Sequence, residues 1–360
     1  MFGNVYKDRR VLVTGHTGFK GSWLVLWLQT LGARVNAISL PPEATPNHWD
    51  LLGLDIESCH IDIRDAELLR QKLVAAQPEI VFHLAAQSLV RRSYRQPLAS
   101  WSTNVMGTAN LLEACRHIEK LAAIVVVTSD KCYDNREWAW GYREIDSLGG
   151  HDPYSASKAG SELVAMSFRR SFFNAPASAL LASARAGNVI GGGDWSEDRL
   201  LPDLVRAIES AKPLTIRAPD ATRPWQHLLE CLSGYLLLGQ QLLERNKSAA
   251  EAWNFGPAGE GNRRVVDVLE ALRAHWPAVA WHCGDELQPH EAALLHLDSS
   301  KARAQLAWRP VWTFEESVDA TAAWYRAWLE HGKVISRQQL ETYGSVARQR
   351  GLPWAGGLTA

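Results

Sequence analysis

Short apolar runs alternate with amphipathic stretches through the first half of the chain. Residues 11–13, 34–40, 79–84, 124–127 and 179–183 are rich in β-branched and other apolar side chains. Runs of that length and composition read as strands buried on both faces. Between them, residues 22–31 (closed by Gly32), 97–117 and 155–172 carry helical patterning. The alternation predicts an α/β fold: a Rossmann-type doubly wound, largely parallel sheet. Beyond Asn188 the alternation fades into helices over 200–211, 228–243, 265–275 and 313–330, with short strands over 214–217 and 253–257. That pattern predicts a smaller mixed α/β lobe. The expected division is 1–187 for the sheet domain, with segments near 225–257 returning to it, and 188–224 with 258–335 for the second lobe. Residues 336–360 read as a C-terminal tail, and the stretch from about Gly344, rich in Arg, Gln and Gly, is expected to be mobile.

Composition changes the picture only at its edges. A chain of 360 residues that is 46% hydrophobic can bury one large core or two lobes. A formal net charge of −1 gives no reason to expect nucleic acid or a membrane surface as partner. Five cysteines at unpaired spacings suggest neither a zinc site nor a disulfide framework, which points to a reducing cytoplasm. No apolar run approaches the roughly 20 residues that span a bilayer, and the first residues have no apolar signal core. No metal site is expected.

Chemistry enters at the strand ends, where open α/β sheets bind ligands. After the first strand comes Thr14-Gly15-His16-Thr17-Gly18-Phe19-Lys20-Gly21 and then a helix. Strand, glycine-rich turn and helix form the setting of a dinucleotide pyrophosphate site. Gly15 permits the tight turn, Gly18 brings backbone amides to the phosphates, and Gly21 lets helix and strand pack closely. The second strand ends in Ser39-Leu40-Pro41-Pro42, with no acid for a ribose hydroxyl and no arginine for a 2′-phosphate. Asp62, followed by Ile63, is placed either to accept from an adenine amine or merely to start a helix. Leu84, Ala85, Ala86 and Gln87 end the next strand with small residues against which a cofactor can lie. Asn104, midway along a long helix, must find buried partners.

The densest stretch is 124–160. Its apolar run leads into Thr128-Ser129-Asp130-Lys131, and Tyr154 precedes Lys158 by one helical turn. A fixed ammonium beside a phenol is expected to lower its pKa from a reference near ~10, making a general acid/base for an alcohol.

Taken together, these motifs resemble the extended short-chain dehydrogenase/reductase family in its nucleotide-sugar modifying branch. The likeness runs over residues 11 to about 330. It is carried by residues 14–22, 85–90, 128–135, 138–144, 185–195, 223–227, 253–257 and 289–292. The resemblance implies bound NAD, a CDP-hexose substrate and a hydro-lyase reaction giving the 4-keto-6-deoxy sugar. Gly15, Thr17, Gly18, Phe19, Lys20, Gly21, Asp62, Ile63, Leu84, Ala85, Ala86, Gln87, Asn104, Tyr154 and Lys158 would serve the cofactor. Asn104 would brace the tyrosine and lysine. Ser129, Asp130 and Lys131 would join Tyr154 and Lys158 as catalytic groups, with Ser129 on the C4 oxygen and Asp130 as acid for the departing 6-hydroxyl. Lys131 stands where related dTDP-glucose dehydratases carry glutamate; it reads either as a neutral base or as a cation stabilising an enolate. Arg223 would hold the pyrophosphate, with Asn188 and Ser88 near the sugar, and Arg199, His227 and His290 as further substrate contacts. The resemblance also implies a homodimer through a four-helix contact and a place in deoxysugar supply for a bacterial surface glycan such as lipopolysaccharide O-antigen. A 4-epimerase, a dehydratase for another nucleotide sugar, and a non-catalytic NAD(H)-binding regulator are the competing readings.

Overall fold

The computed structural model describes residues 1–257, 261–284 and 294–356. Seven strands form one sheet: β1 (Arg10–Thr14), β2 (Arg34–Ser39), β3 (Glu57–His60), β4 (Ile80–His83), β5 (Ala123–Val127), β6 (Leu180–Ala186) and β7 (Ala252–Phe255). Their order is β7-β6-β5-β4-β1-β2-β3, and every pairing is parallel. The order reverses between β1 and β4, so the crevice above these two strands is where a ligand fits. β4, β5 and β6 are buried throughout, which is why their sequences run apolar without alternation.

Helix α1 (Phe19–Thr30) is buried over most of its length. Sheet residues cover one side of it and Tyr343 and Trp354 the other, through edge-on ring contacts with Trp27 at 5.7 and 5.9 Å. Helices α2 (Val90–Arg95), α3 (Pro153–Ser171) and α4 (Leu200–Glu209) shape the site, while α5 (Leu228–Leu243) and α6 (Ser336–Gln349) pack in the core. After β6 three short strand pairs appear: Val189–Ile190 with Gln226–His227, Thr222–Pro224 with Asn262–Arg264, and Leu214–Ile216 with Trp281–Cys283.

Two expectations are corrected. The segment after residue 335 is no loose tail. α6 buries Leu340, Tyr343 and Ala347, and Trp354 stacks on Phe2 at 5.0 Å. Its apolar residues are spaced for one helix face among many polar ones, so its composition hides a docking helix. The long helix over 97–115 is also not uniform: Ser102–Met106 forms a π-turn. There the Asn104 carbonyl accepts from Thr108 Oγ1 at 2.6 Å and Ser161 Oγ at 2.8 Å. Such turns recur at functional sites.

Candidate active site

A cavity of about 1310 Å³ runs from the glycine turn, across the ends of β4 and β5, to Leu214–Ile216. At its first end, Gly15 has φ +80°, and a Cβ there would stand 2.7 Å from the Ala85 backbone nitrogen. A Cβ on Gly21 would stand 2.0 Å from the Gly15 carbonyl oxygen. Both positions therefore demand glycine. Gly18 caps α1 without a side-chain hydrogen bond, which leaves the helix's first amides and positive dipole end for an anion. Thr17 Oγ1 donates to the Leu40 carbonyl at 2.9 Å, tying this turn to the end of β2.

The opposite wall is held by side chains. Ala85 N donates to Thr14 Oγ1 at 3.2 Å, and Gln87 N donates to Asn104 Oδ1 at 2.9 Å. Asn104 Nδ2 donates to the Gln87 carbonyl at 2.9 Å and to Ser157 Oγ at 2.8 Å. One buried amide thus links the turn after β4 to the helix carrying the tyrosine and lysine. Asp62 also lines the cavity and grips Arg64, whose hydrogen bond holds its carboxyl below the usual range. It does not cap a helix; that role belongs to Asp65, which accepts from Leu68 N at 3.0 Å.

At the centre, Asp152 caps α3 through Ser155 N, which sets Tyr154 and Lys158 on its first turns. Both are buried, at 7% and 5% exposure. Lys158 Nζ donates to the Val127 carbonyl at 3.4 Å. Burial and the nearby Lys20 charge lower its pKa to about 8. The expected lowering of the phenol is not found for the chain by itself: burial pushes Tyr154 up to about 12, against a smaller opposing effect of the Ser129 hydroxyl. Desolvation of the phenolate outweighs what the site's own groups return.

Ser129 Oγ donates to Asp130 Oδ1 at 3.1 Å. Asp130 is 1% exposed, and its Oδ2 is buried without a hydrogen-bond partner. Such an atom is costly unless something else meets it. Lys131 Nζ lies 3.2 Å from Asn188 Oδ1 and 3.8 Å from Asp130 Oδ1, with a quarter of its side chain exposed.

The remaining candidates divide. Ser88, Asn188, Arg199 and Arg223 line the cavity, and Arg199 donates to Ser88 Oγ at 3.0 Å and pairs with Asp194 at 2.9 Å. Phe19, Lys20, Ile63 and Leu84 line it as well. His227 belongs elsewhere. It is fully buried, its Nδ1 accepts from Leu229 N at the start of α5, and its ring meets Trp312 at 4.8 Å. The resemblance names it as a substrate contact, but its ring packs in the core while Arg223 lines the cavity. His290 lies outside the described residues. Asn254, in β7, accepts from Tyr133 and donates to the carbonyls of Tyr142 and Asp298. Reasoning from sequence missed Glu162 and Arg185, which form a buried pair beside Thr128; only the helical spacing from Tyr154 and Lys158 hinted at Glu162.

Comparison with known proteins agrees with this geometry. A family model described as GDP-mannose 4,6 dehydratase matches residues 12–321. The chain belongs to this family. Within the family, the chain is 48% identical to a CDP-glucose 4,6-dehydratase of Salmonella typhimurium, over 95% of this chain and 98% of that one. A dTDP-glucose 4,6-dehydratase of Xanthomonas campestris is 27% identical over 93% and 99%. Among solved structures, a double mutant of DesIV, a dTDP-glucose 4,6-dehydratase of Streptomyces venezuelae with NAD bound, superposes with TM-score 0.74 and 27% identity, covering 90% of this chain and 99% of that one.

Proposed function

We propose that the chain is an NAD-dependent hydro-lyase that converts CDP-D-glucose to CDP-4-dehydro-6-deoxy-D-glucose. The observation that carries this beyond simple alcohol oxidation is Asp130, whose buried, unpartnered Oδ2 stands in the same cavity as Tyr154 and Lys131. An epimerase has no use for an acid poised to expel water. The 48% identity to a CDP-glucose 4,6-dehydratase selects the nucleotide.

The glycine cradle, the α1 N-terminus and the Ala85–Gln87 wall would hold NAD, which when bound would supply a hydride acceptor for C4 and a hydride donor for C6. The chain's own groups do the rest. Tyr154 removes the 4-hydroxyl proton, and Lys158 places a positive charge beneath that exchange. Ser129 donates to the C4 oxygen. The resulting ketone acidifies C5–H, which gives its proton to solvent in the cavity while Asp130 delivers one to the 6-hydroxyl and water leaves; a solvent proton returns to C5 as hydride reaches C6, and the proton taken up by Tyr154 restores Asp130. Lys131 acts as the cation that stabilises the enolate. Its partial exposure and its hydrogen bond to the Asn188 side-chain oxygen suit a cationic donor better than a desolvated amine. Arg223 meets the pyrophosphate as a forked donor, and Ser88, Asn188 and Arg199 position the hexose.

The working unit in this reading is a homodimer. Leu98, Trp101 and Met106 on the 97–115 helix are 82%, 41% and 55% exposed, and Leu163 on α3 is 50% exposed. Apolar side chains so placed on adjacent helices suit a four-helix contact with a second copy. A cytoplasmic setting fits the free cysteines, and supply of a deoxysugar for O-antigen assembly fits the product. Incubation with NAD and, in parallel, CDP-, dTDP-, GDP- and UDP-glucose tests the function. Only CDP-glucose should give the 4-keto-6-deoxy product efficiently. CDP-galactose, or unchanged sugar, would contradict it.

A further inference from the structure

Beneath the end of β5 lies an ion pair that the reaction just described does not use. Glu162 and Arg185 have side-chain exposures of only 3% and 4%, and Arg185 Nη2 meets Glu162 Oε2 at 2.7 Å. Both carboxylate oxygens are fully engaged: Oε1 accepts from Thr128 Oγ1 at 2.5 Å, and Oε2 also accepts from Ser183 Oγ at 2.8 Å. Arg185 Nη1 donates to Tyr133 Oη at 2.8 Å, on the far side of the pair from Thr128.

Buried ion pairs are poor sources of stability, because desolvation cancels most of the attraction and apolar residues would fill the space as well. The location of this one suggests another reason. Thr128 immediately precedes Ser129 and Asp130, so Glu162 is bonded to the turn that carries both. On α3, Tyr154, Lys158 and Glu162 follow one another at four-residue steps and share a face. Glu162 therefore touches the strand end from the same helix that supplies the tyrosine and lysine.

We propose that Glu162, neutralised on its far side by Arg185, is a positioning residue that fixes the Thr128–Asp130 turn and supplies the negative charge that keeps Lys158 an ammonium in its buried site. The other titratable groups acting on Lys158 are Lys20 from α1, His83 from β4 and Cys132. Lys20 opposes the ammonium, His83 is held neutral by burial with its pKa near 3, and burial keeps the Cys132 thiol protonated. Glu162 is the one charged group among these that favours the cation.

The inference rests on the dehydratase reading for its kinetic arm only. Glu162→Gln is expected to lower kcat for CDP-glucose about ten- to hundredfold, to leave KM within about threefold, and to move the alkaline limb of kcat to lower pH by about one unit. Thr128→Val cuts the link to the turn but keeps the charge, so it should lower kcat without moving that limb. In 15N-lysine-labelled protein without substrate, the Lys158 Nζ signal, assigned by its loss in Lys158→Met, should titrate at lower pH in Glu162→Gln than in the parent or in Thr128→Val. Should Glu162→Gln fail to fold, Glu162→Gln with Arg185→Gln leaves no lone buried charge and serves the same comparison. A Lys158 titration unchanged by loss of Glu162 overturns the proposal, as does a fall in kcat with no movement of the limb. A shifted titration in a protein inactive on CDP-glucose would overturn the dehydratase reading and leave this one standing.

Discussion

Nζ of Lys131 donates to the side-chain oxygen of Asn188 at 3.2 Å, so the residues that follow β5 and β6 are joined across the cavity floor. The bond holds the ammonium beside Asp130 and gives Lys131 a fixed direction. If Lys131 acts as a cation, Lys131→Arg should retain much of the elimination rate, whereas Lys131→Met should lose about 100-fold or more, the scale of one lost electrostatic stabiliser. Reduced nicotinamide should accumulate in the Met variant, because oxidation at C4 precedes the blocked step. Stopped-flow absorbance at the nicotinamide band reads both. An inactive Arg variant would favour the neutral-base reading.

Lys158 links activity to pH with opposite signs for catalysis and stability. Its folded pKa of about 8 lies below the ordinary lysine value of 10.5. Activity that needs the ammonium should therefore fall as pH rises through about 8. The unfolded chain binds the extra proton between these values, so this group's effect on stability improves as pH rises across the same window and is most unfavourable below it. Lys158→Met should then be inactive yet more stable at pH 7, by roughly 3 kcal/mol for a buried group shifted this far. Denaturant titrations of both proteins at pH 7 and pH 10 test this; the gap should shrink at the higher pH.

The chain's C-terminal helix is anchored through Glu230 on α5. Its carboxylate accepts from Val311 N, Trp312 N and Tyr343 Oη at 2.7, 2.8 and 2.8 Å. Burial nonetheless raises its pKa to about 7. The folded state thus holds a proton that the unfolded state releases above the reference value of 4.5, and this group's contribution to stability falls as pH rises from there through about 7. Tyr343→Phe removes one donor from a buried carboxylate and should cost about 1–3 kcal/mol, more at pH 8 than at pH 5. Urea midpoints at the two pH values measure the difference.

The fold was largely legible, and for a physical reason. Strands buried on both faces must be apolar throughout, and Gly15 and Gly21 are positions where any side chain would strike backbone. The tyrosine, lysine and Ser129-Asp130-Lys131 group could be read because a fixed spacing on one element creates each constellation. What could not be read came from distant segments meeting. Glu162 finds Arg185 and Thr128 only once β5, β6 and α3 are packed together. His227 was expected at the substrate only from the resemblance, but α5 starts inside the core. α6 looked mobile because its apolar residues are sparse and become a surface only when wound into a helix.

The exposed apolar stripe makes a prediction of its own. Leu98→Glu combined with Leu163→Glu should turn the proposed dimer into a monomer, because charges at the proposed helix contact would be strongly unfavourable. Light scattering after size exclusion gives the mass directly. An unchanged dimer would place the contact elsewhere.

In the proposed reaction one hydride leaves C4 of CDP-glucose and returns to C6 of the same sugar after water is lost. CDP-glucose carrying deuterium at C4, incubated with the enzyme and NAD, measures this by proton NMR and mass spectrometry of the product. The expected product is a 4-keto-6-deoxy sugar with deuterium at C6. Deuterium retained at C4, in glucose or in its 4-epimer, would contradict it.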